Sequence, residues 1–361
     1  MQPRGRYGGS YEFQMTTYSD HEQEVEDMVM NLSPNANRVY SAHTEVGIYE
    51  LKKGDFSVKL TNYGATVLSV VLPDKNGKLD DVVLGFESLK DYSNDSVYFG
   101  AIVGRVANRI GSAQFSLMVF TTSGLKGFSD VVWTVKSYIE DSHITFTYNS
   151  LDGEQGFPGD LVVSVTYMLV ETNKLAIKME AKALNKATPV NLAHHTYWNL
   201  RGHNSGDILS HHLQLFGSNI TPVNDQLIPT GETAPVKGTP YDFLEPQEIG
   251  SKINELPDGY DINYVLDPSS YKHLRKAVVL RDSVSGRKLE LWTNMPGLQF
   301  YTSNKLDNVK GKDGFVYKKH AAVCLETQGF PDAVNHPNFP SQVVKPGETY
   351  LHVMVYRFTA A

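Results

Sequence analysis

The chain has 361 residues, enough for one large β domain or for two ordinary domains. Its 33 Lys and Arg against 40 Asp and Glu give a formal net charge of -7, which argues against nucleic acid and anionic membranes as partners. A neutral or polar small molecule is the better candidate, and a single cysteine, Cys324, excludes an internal disulfide and suits a reducing compartment.

Residues 1–44 mix Gly, Ser, Asn and acidic residues without a sustained period, which predicts a mobile leader and leaves open a short helix over 21–30. This stretch has no continuous apolar segment of the kind found in a secretory signal or a membrane-spanning helix. We therefore expect a cytoplasmic protein that has no membrane partner.

Short β-prone segments separated by turns begin near Val46, and helical periodicity is nearly absent. The turns at Asp74-Lys-Asn-Gly and Glu171-Thr-Asn-Lys each join two such segments and predict β-hairpins. The strands predicted in the first half are 47–51, 56–61, 65–72, 82–85, 131–137, 143–149, 161–171 and 174–184.

The second half continues in the same way, without an interdomain linker or an internal repeat. Its predicted strands are 213–216, 264–266, 277–282, 288–293, 298–302, 321–325 and 350–358. The Pro-, Gly- and Thr-rich stretch 222–246 keeps enough apolar residues to be a packed loop. The predicted fold class is all-β, with one large antiparallel β-sandwich over 45–361.

Glu326 follows the apolar strand 321–325 and precedes a turn-rich segment, so a strand end delivers one carboxylate into a loop. A carboxylate beside Phe330, partly shielded from water, has its pKa raised towards the range of a general base. The alternative is an ordinary solvated Glu, or one that is paired with Lys318 or Lys319.

Two adjacent histidines, His194 and His195, lie in a segment predicted to be extended, so strand alternation sends their side chains to opposite faces. One of them can therefore share a cleft with Tyr197 and act as a proton donor. The alternative is a pair that is hydrogen-bonded to the backbone. Zinc is a weaker hypothesis, because the histidines match no recognised metal spacing.

Three further segments carry amide, carboxylate or guanidinium groups beside glycine or aromatic residues: 104–111, 258–263 and 297–302. Such mixtures recognise sugars by bidentate hydrogen bonds and stacking. Each segment taken alone is also compatible with ordinary turn or strand chemistry.

Taken together, these segments resemble the aldose 1-epimerase family, also called galactose mutarotases, over residues 46–358. The resemblance is carried, in the family's order, by Gly104-Arg-Val-Ala-Asn-Arg, His195-Thr-Tyr-Trp-Asn-Leu, Gly259-Tyr-Asp, Gln299-Phe-Tyr-Thr and Leu325-Glu-Thr-Gln-x-x-Pro-Asp-Ala. It implies a large antiparallel β-sandwich of the galactose mutarotase type. It also implies a cofactor-free, metal-free interconversion of the α and β anomers of free aldohexoses.

The resemblance further implies that Glu326 is the base for the anomeric hydroxyl and that His195 is the acid for the ring oxygen. Asn108, Arg109, Asp261 and Gln299 match positions that hold the sugar hydroxyls. A monomer is expected. A two-carboxylate glycosidase is less natural, since the strongest candidates are one Glu and one His.

One segment departs from the family pattern. After Gly104-Arg-Val-Ala-Asn-Arg-Ile the family usually has a hairpin that ends in Leu-His-Gly-Gly, and its histidine helps to bind the sugar. Here the hairpin is missing, and Thr122 or Ser123 is nearest to the vacant place. Three hypotheses follow: an active aldose 1-epimerase, a sugar-binding protein with weakened catalysis, and a hexose-6-phosphate epimerase.

Overall fold

The computed structural model describes Val29 and residues 45–93, 96–115, 120–121, 126–267 and 273–361. Nearly all regular structure in these residues is β. The strands are β1 Ile48–Lys53, β2 Phe56–Thr61, β3 Thr66–Pro73, β4 Leu79–Asp81, β5 Ile102–Val103, β6 Gln114–Phe115, β7 Phe120–Thr121, β8 Thr134–Ile139, β9 His143–Ser150, β10 Leu161–Leu169, β11 Lys174–Ala183, β12 Thr188–Pro189, β13 Ala193–His194, β14 Tyr197–Trp198, β15 His212–Leu215, β16 Asn219–Ile220, β17 Ala234–Pro235, β18 Gln247–Glu248, β19 Asp261–Val265, β20 Arg275–Arg281, β21 Arg287–Thr293, β22 Gly297–Tyr301, β23 Val309–Lys310, β24 Val316–Tyr317, β25 Val323–Gln328, β26 Val343–Val344 and β27 Thr349–Ala360.

The helices are short. One α-helical turn spans Leu89–Tyr92, and the 3-10 turns are Gly111–Ala113, Phe128–Asp130, Glu154–Gly156, Ile249–Ser251, Ile253–Glu255, Lys312–Gly314 and Ala333–Asn335. No helix among the described residues is long and apolar enough to cross a membrane.

The strands form three main antiparallel sheets, which together make a large β-sandwich. The nine-stranded sheet has the order β18-β15-β20-β21-β27-β11-β10-β9-β8, and the six-stranded sheet has the order β14-β25-β22-β19-β16-β17. A four-stranded sheet, β1-β2-β3-β4, covers the first part of the chain. One apolar cluster joins residues of all three sheets, for example Val165, Phe300 and Leu60. The predicted antiparallel β-sandwich is therefore confirmed.

Both hairpins that the sequence predicts are present. Strands β3 and β4 pair on either side of the turn at 74–77, where the Asp74 carboxylate accepts hydrogen bonds from the backbone N–H groups of Asn76 and Lys78. Strands β10 and β11 pair in full register on either side of the turn at 171–173. Asp at the first position of a turn stabilises it by this local bonding.

The strand predicted at 82–85 is wrong, because the pairing strand is Leu79–Asp81. The Val82 N–H bonds to the Val70 carbonyl, and the Leu84 N–H bonds to the Tyr197 carbonyl. This segment therefore passes from the four-stranded sheet to the six-stranded sheet, and it forms only an isolated bridge at Val83. Its apolar residues are buried because they lie between two sheets.

The strand predicted to stop at residue 325 continues to Gln328, so Glu326 lies inside β25 and not in a loop. Pairing with β22 extends from Tyr301 opposite Cys324 to Gly297 opposite Gln328, and this ladder holds the polar residues in extended backbone. Gly329 then ends the strand, as the sequence indicates.

Val29 is the one described residue before 45, and it is fully buried. It belongs to an apolar cluster with Met168, Val170, Trp292 and Val353, on the face of the nine-stranded sheet that points away from the main core. The rest of the predicted mobile leader lies outside the described residues. The contact of Val29 indicates that at least one residue of this leader packs on the sandwich.

Replacing Val29 by Asn tests that contact. The substitution removes a buried valine and places an amide in an apolar site, so the free energy of unfolding is expected to fall by about 2 kcal/mol. Chemical denaturation measures the change. Val162→Asn, at an exposed position of β10, is the matched control and should change the stability much less. Equal effects of the two substitutions would show that Val29 does not pack there in solution.

Candidate active site

A cavity of about 650 Å³ opens over the six-stranded sheet and contains all six site residues that the sequence predicts. Its lining comprises Ser96, Val97, Tyr98, Val103, Asn108, Arg109, His195, Tyr197, Asp261, Gln299, Tyr301, Lys305, Leu306 and Glu326. The size and the mixture of aromatic, charged and amide side chains suit a small polar ligand.

The floor of the cavity is built by strand alternation in β19, β22 and β25. Gln299 lies directly opposite Glu326 in the ladder, and Asp261 begins the next strand along the sheet. The intervening residues, such as Phe300 and Leu325, point to the other face and join the main apolar core. One face of these strands is therefore polar and the other apolar, as side chains of period two require.

Four predicted residues form a closed ring of hydrogen bonds on this floor. Arg109 donates to the Asp261 carboxylate at 3.0 Å and to the side-chain oxygen of Asn108 at 3.3 Å. The Asn108 amide donates to the side-chain oxygen of Gln299 at 2.9 Å. The Gln299 amide completes the ring by donating to the other Asp261 oxygen at 2.7 Å. These side chains hold each other in place before any ligand binds.

The segment 104–111 positions the ring by placing its two arginines in different environments. Arg105 is buried away from the cavity and donates to the Thr188 and Ser150 hydroxyls and to the carbonyls of Pro158 and Gly159. This buried arginine anchors the loop in the sandwich. The backbone then reaches Asn108 with a φ of 64°, a left-handed conformation that Asn tolerates better than most residues.

Glu326 and His195 both line the cavity and lie next to each other. The Glu326 Oε1 atom lies 3.6 Å from the His195 Nε2 atom, and the Glu326 side chain is 9% exposed. Burial, with a smaller contribution from the nearby Asp261 carboxylate, raises the pKa of Glu326 to about 8, although Arg109 opposes the shift. Burial lowers the pKa of His195 to about 4. Each charged form is disfavoured because the site removes it from water.

The two groups are both uncharged at neutral pH. Glu326 keeps the proton that a solvated carboxylic acid would lose, and His195 stays neutral. Moving that proton from Glu326 to His195 yields a carboxylate base beside an imidazolium acid. A substrate hydroxyl that donates to the carboxylate and an ether oxygen that accepts from the imidazolium both favour this second form.

The two histidines lie on opposite sides of the backbone, as alternation predicts. His195 stacks on Tyr197 with ring centroids 5.1 Å apart and points into the cavity. His194 is buried beneath it, against the edges of Tyr167 and Tyr356. Its pKa is lowered to about 3 by burial, so it stays neutral in the core.

Some residues in and beside the cavity have no assigned role in the sequence analysis. Gln328 and Asn263 are buried and do not line the cavity, but they extend its hydrogen-bonded floor, with the Gln328 amide donating to the Asn263 side-chain oxygen at 3.0 Å. Gln328 lies two residues on from Glu326, so strand alternation would have found it. Tyr98, which lies 6.1 Å from the His195 ring, and Lys305 come from loops that carry no periodic pattern. Strands β6 and β7 pair antiparallel just before Thr122, so the chain does not run straight through this segment. Thr122 and Ser123 lie outside the described residues, and the absence of the family's hairpin with its histidine stays a prediction.

Comparison with known proteins gives a consistent result. The family model described as aldose 1-epimerase matches residues 47–357. The chain is 41% identical to the galactose mutarotase of Sus scrofa over 87% of this chain and 94% of that protein. It is 32% identical to the aldose 1-epimerase of Escherichia coli (strain K12), over 84% of this chain and 92% of that protein.

The fold comparison gives the same result. The crystal structure of the GalM/aldose epimerase homologue from C. elegans aligns with a TM-score of 0.82 and 27% identity, over 88% of this chain and 100% of that chain. A second family model, the ABCA12-like C-terminal domain, matches only residues 11–58 and covers too little of the chain to carry an argument.

Glu326→Gln should make the protein more stable at neutral pH. The native-state pKa of Glu326 is raised from 4.5 to about 8, so its contribution to stability is complete below about pH 4.5 and is lost as the pH rises through about 8. The neutral amide avoids this loss, and we expect a gain on the order of 2 kcal/mol at pH 7 that disappears near pH 4.5. Denaturation curves at both pH values measure it.

Glu290→Gln is the control with the opposite sign. The Glu290 carboxylate bonds to Arg357 and Lys276, and these hydrogen bonds lower its pKa despite its burial. Its contribution is present above pH 4.5 and is lost as the pH falls, so this variant should be less stable than wild type at pH 7. A loss of stability at pH 7 in Glu326→Gln as well would contradict a buried, protonated Glu326.

Proposed function

Because this chain belongs to the aldose 1-epimerase family, we propose that it interconverts the α and β anomers of free aldohexoses such as glucose and galactose, with Glu326 as base and His195 as acid. The protein is an isomerase. Glu326 accepts the proton of the anomeric C1 hydroxyl while the His195 imidazolium donates a proton to the ring oxygen. The bond between C1 and the ring oxygen breaks, and the open-chain aldehyde forms.

The reverse steps complete the reaction. Rotation about the C1–C2 bond turns the other face of the aldehyde towards the C5 hydroxyl. That hydroxyl attacks C1, returns its proton to His195, and the new anomeric oxygen takes the proton from Glu326. Every proton moves between the sugar and these two side chains, so the reaction as written uses no cofactor.

The observation that carries this proposal is the 3.6 Å separation of the Glu326 and His195 side chains in a shielded cavity. The two oxygens that must exchange protons are bonded to the same carbon, so an acid and a base this close can reach both at once. Holding the reacting groups in this geometry removes much of the entropic cost of a two-point proton transfer.

The ring of Asn108, Arg109, Asp261 and Gln299 supports a substrate-holding role for these residues. Charged and amide groups in fixed positions can bond sugar hydroxyls without further ordering of side chains. The stacked rings of Tyr197 and His195 add a flat surface against which a sugar can pack. We assign the ring to recognition of the hydroxyls that do not react.

The location and oligomeric state also belong to this proposal. We expect a monomer that works in the cytoplasm, because the buried thiol of Cys324 suits a reducing compartment and a complete cavity is formed within one chain. Sedimentation at micromolar concentration tests the monomer, and a dimer would overturn it.

Glu326→Gln should abolish most of the mutarotation and leave sugar binding within a few fold of wild type. The amide is nearly isosteric but cannot accept the hydroxyl proton, and general acid or base catalysis is worth roughly 100 to 10,000-fold. Polarimetry of freshly dissolved α-glucose and α-galactose gives the rate, and calorimetry gives the affinity. Glu290→Gln on the outer face of the nine-stranded sheet should keep the wild-type rate. A rate within about threefold of wild type for Glu326→Gln would remove Glu326 from the base role.

The two adjacent histidines give a matched pair of variants. His195→Asn should lower turnover by roughly 100-fold or more, because it removes the acid. His194→Asn should act mainly on stability, because this side chain packs among buried rings and does not line the cavity. Specific activity and thermal melting are measured on both variants. Equal loss of turnover in two well-folded proteins would contradict the assignment.

A further inference from the structure

A group of three potential metal ligands lies beneath the cavity. One donor atom each from His195, Cys324 and Glu326 lies within 4.8 Å of the other two. Cys324 and Glu326 are two residues apart on β25, so alternation places their side chains on the same face. His195 reaches them from the segment between β13 and β14, whose Tyr197 lies opposite Cys324.

A second observation marks the Glu326 carboxylate. It is buried, and among the described residues it accepts no hydrogen bond, the 3.6 Å approach of His195 being longer than one. Because no donor occupies its oxygens, the Glu326 carboxyl group can bind a cation once it releases its proton. One of its oxygens lies close to both the His195 nitrogen and the Cys324 sulfur.

We propose that His195, Cys324 and Glu326 bind a thiophilic divalent cation of the zinc type, and that this cation is an inhibitor which competes with the aldose. The imidazole nitrogen, the thiolate sulfur and a carboxylate oxygen are the three protein ligands. Water from the cavity takes the fourth position. On binding, the Cys324 thiol and the Glu326 carboxyl group each release a proton to solvent, so the ion is coordinated by a thiolate and a carboxylate.

The three donor atoms can bind such an ion if they move slightly closer together. Three atoms no more than 4.8 Å apart all lie within about 2.8 Å (4.8/√3) of a common point. Zinc binds sulfur at about 2.3 Å and imidazole nitrogen at about 2.0–2.1 Å. Each donor therefore has to move by roughly 0.5 to 0.8 Å, which side-chain rotation can supply.

The type of ligand selects the type of ion. A thiolate and an imidazole favour zinc and related ions, whereas Mg²⁺ and Ca²⁺ require shells of oxygen ligands. The Asp261 carboxylate also lines the cavity, where its charge is balanced by the ion pair with Arg109. His195 and Glu326 border the cavity, whereas Cys324 is fully buried behind them, so the ion reaches the thiol by passing between the acid and the base.

Inhibition follows from the same contacts. A bound cation occupies the His195 nitrogen and the Glu326 carboxylate together, so neither group can exchange a proton with a sugar. Its water ligand also fills the deepest part of the cavity. The inference concerns metal binding at these three residues, and its spectroscopic test does not depend on the proposed reaction.

Cobalt(II) is the probe, because a thiolate bound to Co²⁺ gives a charge-transfer absorption band that imidazole and carboxylate ligands do not. Cys324 is the one cysteine of the 361-residue chain, so such a band can arise only at this residue. We expect the full-length reduced protein to give the band with one equivalent of Co²⁺, and Zn²⁺ or a saturating aldose to remove it. Absence of the band under reducing conditions, or a band that the aldose leaves unchanged, would overturn the proposal.

Variants separate this site from adventitious binding. Cys324→Ser should mutarotate at the wild-type rate without metal, give no charge-transfer band, and need more than about tenfold more Zn²⁺ for half-inhibition. If Cys324→Ser has a lower melting temperature than wild type, Cys324→Ala is used in its place. His212→Asn, at an exposed histidine near Glu248, is the control and should keep the wild-type response to Zn²⁺. Equal inhibition of wild type and both Cys324 variants would place the inhibitory ion elsewhere and refute the proposal.

Discussion

The register between β22 and β25 is the constraint on which the site depends. Gln299 lies opposite Glu326 in this ladder, and the same alternation turns Phe300 and Leu325 into the apolar core. A shift of one residue would send Glu326 into the core and Leu325 into the cavity, because side chains on a strand have a period of two. The apolar face therefore specifies the positions of the polar side chains that line the cavity, although it lies on the opposite side of the sheet.

This register keeps Glu326 in a poorly solvated position, which lowers the stability of the folded protein. The rest of the sandwich has to offset that loss. The carboxyl group is shielded, and burial and the neighbouring Asp261 both act against its ionisation. The large core that joins the three main sheets, and buried anchors such as Arg105, offset this local cost. Glu326 lies inside a strand that is paired with β22, so the backbone holds the buried carboxyl group in a fixed position.

Much of this could be predicted from the sequence, because alternation and turn chemistry are local properties. The hairpin at 74–77 and the opposite placement of His194 and His195 follow from such patterns. The course of 82–85 could not be predicted, since a buried apolar segment that passes between two sheets has the composition of a strand. Contacts between distant segments were also missed, because a local sequence pattern does not show which distant segments meet in the fold. Val29 packs on a face made by residues more than a hundred positions away, and the Cys324 thiol lies beside His195, which comes from a distant segment of the chain.

The ring of Asn108, Arg109, Asp261 and Gln299 has one further property. Arg109 only donates and Asp261 only accepts, so every hydrogen bond in the ring runs in a fixed direction from the guanidinium to the carboxylate. Reversing either amide would set donor against donor and acceptor against acceptor. The orientation of both amides is thus decided by the guanidinium and the carboxylate, which are themselves neighbours in the ring. A sugar that enters the cavity meets hydrogen-bond donors and acceptors in a fixed order. Its hydroxyls must match this order, or they disrupt the hydrogen bonds of the ring.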